Sequence, residues 1–136
     1  MKTRVLDSWA IIEWLRDQTP ARDIVATLLT EARDGSARLF ISAINVGEVY
    51  YVLRKHRAEA AAERWCALAG TLPATIEVPT LDDIWEAASL KSQFRIAYAD
   101  AFAAALAKKH HCPVLTGDAE FRMIPGLELD WIDRTM

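Results

Sequence analysis

Four carboxylates stand in apolar surroundings that have no other use for a charge. Asp7 follows the strand-like Val5-Leu6, and Glu48 interrupts the apolar helical stretch 44–53. Asp100 opens an alanine-rich helix, and Asp118 follows Val114-Leu115 in Val-Leu-Thr-Gly-Asp. A buried carboxylate is costly unless it is paired or coordinates a metal. Four of them converging would repel, and a divalent cation is the simplest means of holding them together. An all-oxygen donor set suits Mg2+ or Mn2+. Two such ions about 3.5–4 Å apart can activate a water and stabilise the leaving oxygen of an in-line displacement. The chemistry these residues point to is therefore metal-dependent cleavage of a phosphodiester.

Other side chains could support that set. Thr116 and Ser8 offer hydroxyls that could reach a metal-bound water or hold a carboxylate, and Asn45, three residues before Glu48, shares its helix face and could orient it. Glu120, two residues past Asp118, suits either a fifth ligand or a solvated helix position. Lys91 and Arg95 are candidates for phosphate contact or plain surface charges. Three of the four acids also have a local explanation, and Glu48, with apolar neighbours on both sides, is harder to explain that way. Asp7 suits a helix cap, Asp100 a first-turn partner for the helix dipole, and Asp118 a turn after Gly117. Asp82 and Asp83 read as helix-start residues.

The elements that must position these residues alternate along the chain. Thr3–Leu6 reads as a strand, followed by a helix capped by Asp7 or Ser8 and running to about Arg16. A second helix begins near Pro20, carries Ile24, Leu28 and Leu29, and stops at Gly35. Ala37–Ile41 is a strand, and Ser42 caps a helix whose apolar face includes Ile44, Val49, Val52 and Leu53. A helix over Ala58–Leu72 and a strand over Thr75–Val78 follow. Thr80 with Asp83 forms a capping-box start. Ala99–Lys109 has Ala99, Phe102, Ala103, Leu106 and Ala107 at helical spacing, with Lys108, Lys109 and His110 in the last turn. Val114–Thr116 and Leu129–Ile132 complete the strands, and Arg122–Glu128 fits no element beyond a Pro125-Gly126 turn. Strands alternating with helices imply an α/β fold, a mostly parallel sheet of four to five strands with helices on both faces. In such sheets ligands bind beyond the carboxyl ends of the strands. Asp7 and Asp118 both fall there.

The bulk properties narrow the setting. A chain of 136 residues fits one domain, residues 1–136, and can bury roughly 68% of its unfolded surface without disulfide or metal support. Hydrophobic residues at 52% and charged residues at 26% describe a globular protein. A net charge of −3 gives little general attraction to a phosphate backbone and suits a basic partner. Cys66 and Cys112 read as small buried hydrophobes in a reducing compartment. No leader or membrane-spanning run is visible, so a cytoplasmic location is expected. His56, His110 and His111 lack zinc-ligand spacing. Gly-rich phosphate loops and nucleophile elbows are absent. Trp9, Trp14 and Trp65 are candidate interface residues.

The chain resembles a PIN-domain ribonuclease, specifically a VapC-type toxin of a type II toxin–antitoxin pair. The resemblance covers nearly the whole chain. It rests on Val-Leu-Asp-Ser at 5–8, Ser-Ala-Ile-Asn-Val-Gly-Glu-Val at 42–49, Tyr-Ala-Asp-Ala-Phe-Ala-Ala-Ala at 98–105 and Leu-Thr-Gly-Asp-Ala-Glu-Phe at 115–121. It implies a PIN-like fold and a Mg2+- or Mn2+-dependent endoribonuclease. Asp7, Glu48, Asp100 and Asp118 match the family's acidic quartet, with Thr116, Asn45 and Glu120 at its accessory polar positions. Ser8 replaces the more usual Thr and keeps the hydroxyl. The resemblance also implies a homodimer and a cognate antitoxin, with a DNA-binding part and a tail that covers the metal site, in a toxin–antitoxin hetero-oligomer. Two other readings stay open. One is a PIN-fold module that holds RNA or an antitoxin peptide without cutting. The other is a doubly wound phosphatase or phosphoacceptor domain, weakened because the strand at 37–41 ends in Ser42 rather than Asp.

Overall fold

The computed structural model describes residues 1–134. Five strands form one sheet in the order β3-β2-β1-β4-β5, and every pairing is parallel. They are β1 (Lys2–Leu6), β2 (Ala37–Ser42), β3 (Thr75–Glu77), β4 (Val114–Thr116) and β5 (Leu129–Trp131). The helices are α1 (Ser8–Leu15), α2 (Ala21–Asp34), α3 (Ala43–Lys55), α4 (Glu59–Leu68), α5 (Leu81–Gln93) and α6 (Tyr98–His110). The α/β fold expected from the alternating pattern is the one observed.

Successive strand residues face opposite sides, so neighbouring side chains enter different cores. Leu6, Leu39, Ile41 and Leu115 join a core with α1 to α4, where Ile11, Leu29, Leu53 and Trp65 are buried. Val5, Phe40 and Val114 join a second core with α5 and α6, where Leu90, Phe102 and Leu106 are buried. A fully buried Leu such as Leu115 contributes about 1.5–3 kcal/mol by leaving water.

Helix boundaries follow local chemistry. Asp7 and Ser42 cap α1 and α3 through their side chains. Gly35 ends α2 with φ 89°, a conformation that costs glycine nothing. Thr80 and Asp83 form the reciprocal capping box at α5. Three expectations need correction. The 58–72 segment is not one helix, because α4 ends at Leu68 and Ala69–Thr71 tightens into a 3-10 turn. Residues 122–128 are not wholly irregular, since Ala119–Met123 is a 3-10 turn. The stripe on α6 understates its burial: every residue from Asp100 to Ala107 is buried. Alanines make this possible, because their small side chains let α3, α5 and the sheet approach from several sides.

Individual side chains also depart from expectation. Trp65 is core rather than interface, with its indole N–H donating to the Val46 carbonyl at 2.9 Å. Cys66 is exposed, whereas Cys112 is buried as expected. Ile44 lies at the exposed side of α3. Among the described residues, no helix is long and apolar enough to cross a membrane.

Candidate metal centre

The strand order decides where a ligand can sit. From β1 the chain builds outward to β2 and β3, then crosses back to place β4 on the other side of β1. The crevice at such a reversal, beyond the carboxyl ends of β1 and β4, is the ligand position of open parallel sheets. Asp7 follows β1 directly. Thr116 ends β4, and Asp118 lies two residues beyond. The amino end of α6 brings Asp100 to the same edge, where Asp100, Asp118 and Glu120 each offer a carboxylate oxygen within 4.8 Å of the others. Asp7 and Glu48 lie outside this tight group. Their charges nevertheless reach it: Asp7 and Glu48 both act on Asp100, and Glu48 and Asp118 both act on Asp7.

The two oxygens of Asp7 have different surroundings. Its Oδ2 accepts from the Trp9 amide at 3.2 Å and from the Thr116 hydroxyl at 2.8 Å. Its Oδ1 is buried with no hydrogen-bond partner. Asp118 likewise accepts from the Glu120 amide at 3.0 Å, starting the 3-10 turn, while its own amide donates to Thr116 Oγ1 at 3.0 Å. Thr116 therefore ties the two strand-end acids through one hydroxyl.

Asn45 organises the other side. It is fully buried, and its Nδ2 faces Ser8 Oγ at 3.1 Å, Glu48 Oε1 at 3.3 Å and the Ala99 carbonyl at 3.2 Å. It thus joins α1, α3 and the start of α6 while orienting Glu48. Ser8 braces Asn45, also donating to its carbonyl at 3.4 Å. Glu120 Oε1 accepts from the Ala97 amide at 2.8 Å, which fixes the turn against the amino end of α6. Lys91 spends its ammonium on the Ile96 carbonyl at 2.7 Å, so it closes the α5–α6 connection; Arg95 is exposed.

The electrostatics are those of carboxylates crowded and buried together. Burial, followed by the charge of Asp7, pushes Asp100 up to about 10, with a hydrogen bond from the protonated Asp100 to Glu120 and the charges of Asp118 and Glu48 adding to the effect. Burial also raises Asp7 to about 7 against the lowering hydrogen bond from Thr116. A divalent ion would reverse both shifts by favouring the ionised carboxylates. The oxygen-only donor set and the partnerless Asp7 Oδ1 fit a hard cation such as Mg2+ or Mn2+. A contact between distant parts of the chain also shapes the site. Trp9 packs against Gly117, inside the loop that presents Asp118. The only local signal was a glycine between two candidate site residues.

Carboxylates gathered at the reversal point of a parallel α/β sheet form an acidic crevice suited to a cation. A family model for the PIN domain matches residues 4–127, and the chain belongs to that family. No curated protein sequence matches it. Its fold is similar to that of VapBC2 from Rickettsia felis, solved bound to a promoter DNA fragment, with TM-score 0.70 and 16% identity over 96% of this chain and 99% of that one. It is similar to Mycobacterium tuberculosis VapC20, a Sarcin-Ricin loop cleaving toxin, with TM-score 0.72 and 16% identity over 88% and 92%. It is also similar to VapBC-1 from nontypeable Haemophilus influenzae, with TM-score 0.63 and 23% identity over 98% and 99%.

Proposed function

We propose that this PIN-domain protein is a metal-dependent endoribonuclease, the toxin of a toxin–antitoxin pair. The observation that carries the proposal is the oxygen-only cluster of Asp100, Asp118 and Glu120 at the sheet reversal, with Asp7 Oδ1 buried and partnerless beside it. Asp7, Glu48, Asp100 and Asp118 would hold Mg2+ or Mn2+, with Glu120 as a further donor. Such an ion supplies Lewis-acid chemistry for phosphodiester hydrolysis. Thr116 holds Asp7 Oδ2 so that Oδ1 stays available, and Asn45 holds Glu48 in its orientation. Burial and the charge of Asp7 favour a proton on Asp100 in the metal-free protein, and a bound cation would favour its loss.

RNA as substrate is supported by family membership and by the fold it shares with an RNA-cleaving toxin. A cognate antitoxin is supported by similarity to chains solved as VapBC complexes. The acidic balance of this chain suits a basic antitoxin tail. A homodimer within a larger toxin–antitoxin assembly, and a cytoplasmic location, complete the proposal.

The test is incubation of protein freed of antitoxin with a pool of structured RNAs, with and without Mn2+, beside the Asp7→Asn variant. Cleavage requiring both Mn2+ and Asp7 is expected. Cleavage that is equal in the variant would overturn the site. Failure to bind Mn2+ by calorimetry, together with no cleavage, would favour a PIN module that binds without cutting.

A further inference from the structure

Gly117 sits between Thr116 and Asp118, and its φ is outside the left-handed region, so backbone conformation does not call for glycine there. The demand is steric. A Cβ at this position would lie 2.4 and 2.6 Å from Cη2 and Cζ2 of Trp9, and 2.8 Å from the Ile132 carbonyl oxygen. Carbon atoms in good contact stand about 3.5–4.0 Å apart. The loop is therefore held between an indole on one side and the chain beyond β5 on the other.

Each jaw of this clamp is also bonded to the candidate metal centre. The Trp9 amide donates to Asp7 Oδ2 at 3.2 Å, so one residue holds Asp7 with its backbone and confines the Asp118 loop with its ring. The Ile132 amide donates to the Thr116 carbonyl at 2.9 Å. The indole is itself held in place. The Arg134 guanidinium lies 5.4 Å from its ring centroid and pairs with the buried Glu13, one turn along α1 from Trp9.

We propose that Trp9 and Gly117 are a positioning pair that sets the spacing between the strand-end acids Asp7 and Asp118. Neither residue touches the reacting atoms. The ring keeps the loop from relaxing outward, and the missing side chain lets it come close enough for both carboxylates to face one cation. The inference rests on the proposed metal site.

A double-mutant cycle over Gly117→Ala and Trp9→Leu tests it, with three measurements: Mn2+ affinity by calorimetry, stability in urea, and hydrogen exchange of residues 114–121 in metal-free protein. Gly117→Ala is expected to weaken Mn2+ binding about 10- to 100-fold, the range seen when groups that orient metal ligands are lost. Exchange across 114–121 should rise. With the ring removed, only the 2.8 Å approach to the Ile132 oxygen remains, so the alanine should cost clearly less in the Trp9→Leu background than in wild type, in both properties. A role in general packing would lower urea stability without this recovery of affinity. Wild-type affinity and exchange in Gly117→Ala, or an alanine penalty that is the same with and without Trp9, would overturn the proposal. If Gly117→Ala alone fails to fold, Trp9→Leu alone decides: weakened Mn2+ binding and faster exchange across 114–121 support the pair, and wild-type values of both overturn it. If wild-type protein binds no Mn2+, the metal-site proposal fails, and exchange in the four metal-free proteins still decides whether the pair holds the loop.

Discussion

Replacing Asp7 by Asn should make the metal-free protein more stable, by an amount that depends on pH. Asp7 is 1% exposed, and burial raises its pKa from 3.8 to about 7. Below pH 3.8 the carboxyl is protonated in both folded and unfolded chains, and the residue costs nothing. Between 3.8 and about 7 the unfolded chain gives up the proton while the fold retains it, so wild-type stability falls as pH rises. Above about 7 the penalty is complete. A shift of this size corresponds to about 4 kcal/mol. Asparagine removes the charge and keeps an oxygen that can accept from Thr116 and Trp9. It also relieves Asp100, for which the charge of Asp7 is the largest cause after burial. With the usual unfolding entropy per residue, 1 kcal/mol shifts the melting temperature of a chain this long by roughly 3–4 °C. The variant should therefore melt on the order of 10 °C above wild type at pH 8 in EDTA, and the gap should close toward pH 4. Differential scanning calorimetry across pH 4–8 measures it directly. A gap that is absent at pH 8, or that does not grow between pH 4 and 7, would refute the argument that a buried, metal-poised charge strains this fold.

Mn2+ added to wild type at pH 8 should raise the melting temperature, reversibly with EDTA. Free metal at 100 times its dissociation constant would add about 2.7 kcal/mol. Asp100→Asn and Asp118→Asn should remove most of that response along with RNA cleavage. Thr116→Val deletes the hydroxyl that lowers the pKa of Asp7 and receives the Asp118 amide, so the pH of half-maximal Mn2+ binding should move upward. An unchanged midpoint by calorimetry would count against that role. Asn45→Leu strands Glu48, Ser8 and the Ala99 carbonyl without their shared donor and should cost about 1–3 kcal/mol in urea unfolding. A loss below about 0.5 kcal/mol, the range of ordinary surface substitutions, would show that the network is redundant.

Much of the fold was legible because its signals are local. Caps, the glycine at the end of α2, the Thr80–Asp83 box and the short apolar strand runs depend on near neighbours in the chain. Errors fell where distant packing decides. Trp65 and Cys66 are adjacent on α4, yet one is core and the other exposed, because the helix turns between them and only its partners say which side is inside. The unbroken burial of α6 was hidden because alanine is apolar enough for a core and tolerated at a surface. Lys91 looked like a free cation until the α5–α6 connection brought the Ile96 carbonyl to it.

The sequence by itself determined which carboxylates were anomalous, since an acid bounded by apolar residues is costly wherever it is buried. It also determined that Asp7 and Asp118 would share an edge, because parallel strands end on the same side. Tertiary structure decided the rest. The β3-β2-β1-β4-β5 order put Asp7 and Asp118 on neighbouring strands, and the approach of α6 made Asp100, Asp118 and Glu120 the tight group, with Asp7 and Glu48 outside it. It also set Trp9 against Gly117, which lie 108 positions apart in the chain. Contacts of that kind depend on how α1 and the β4 loop are packed together, which no local pattern of residue types encodes.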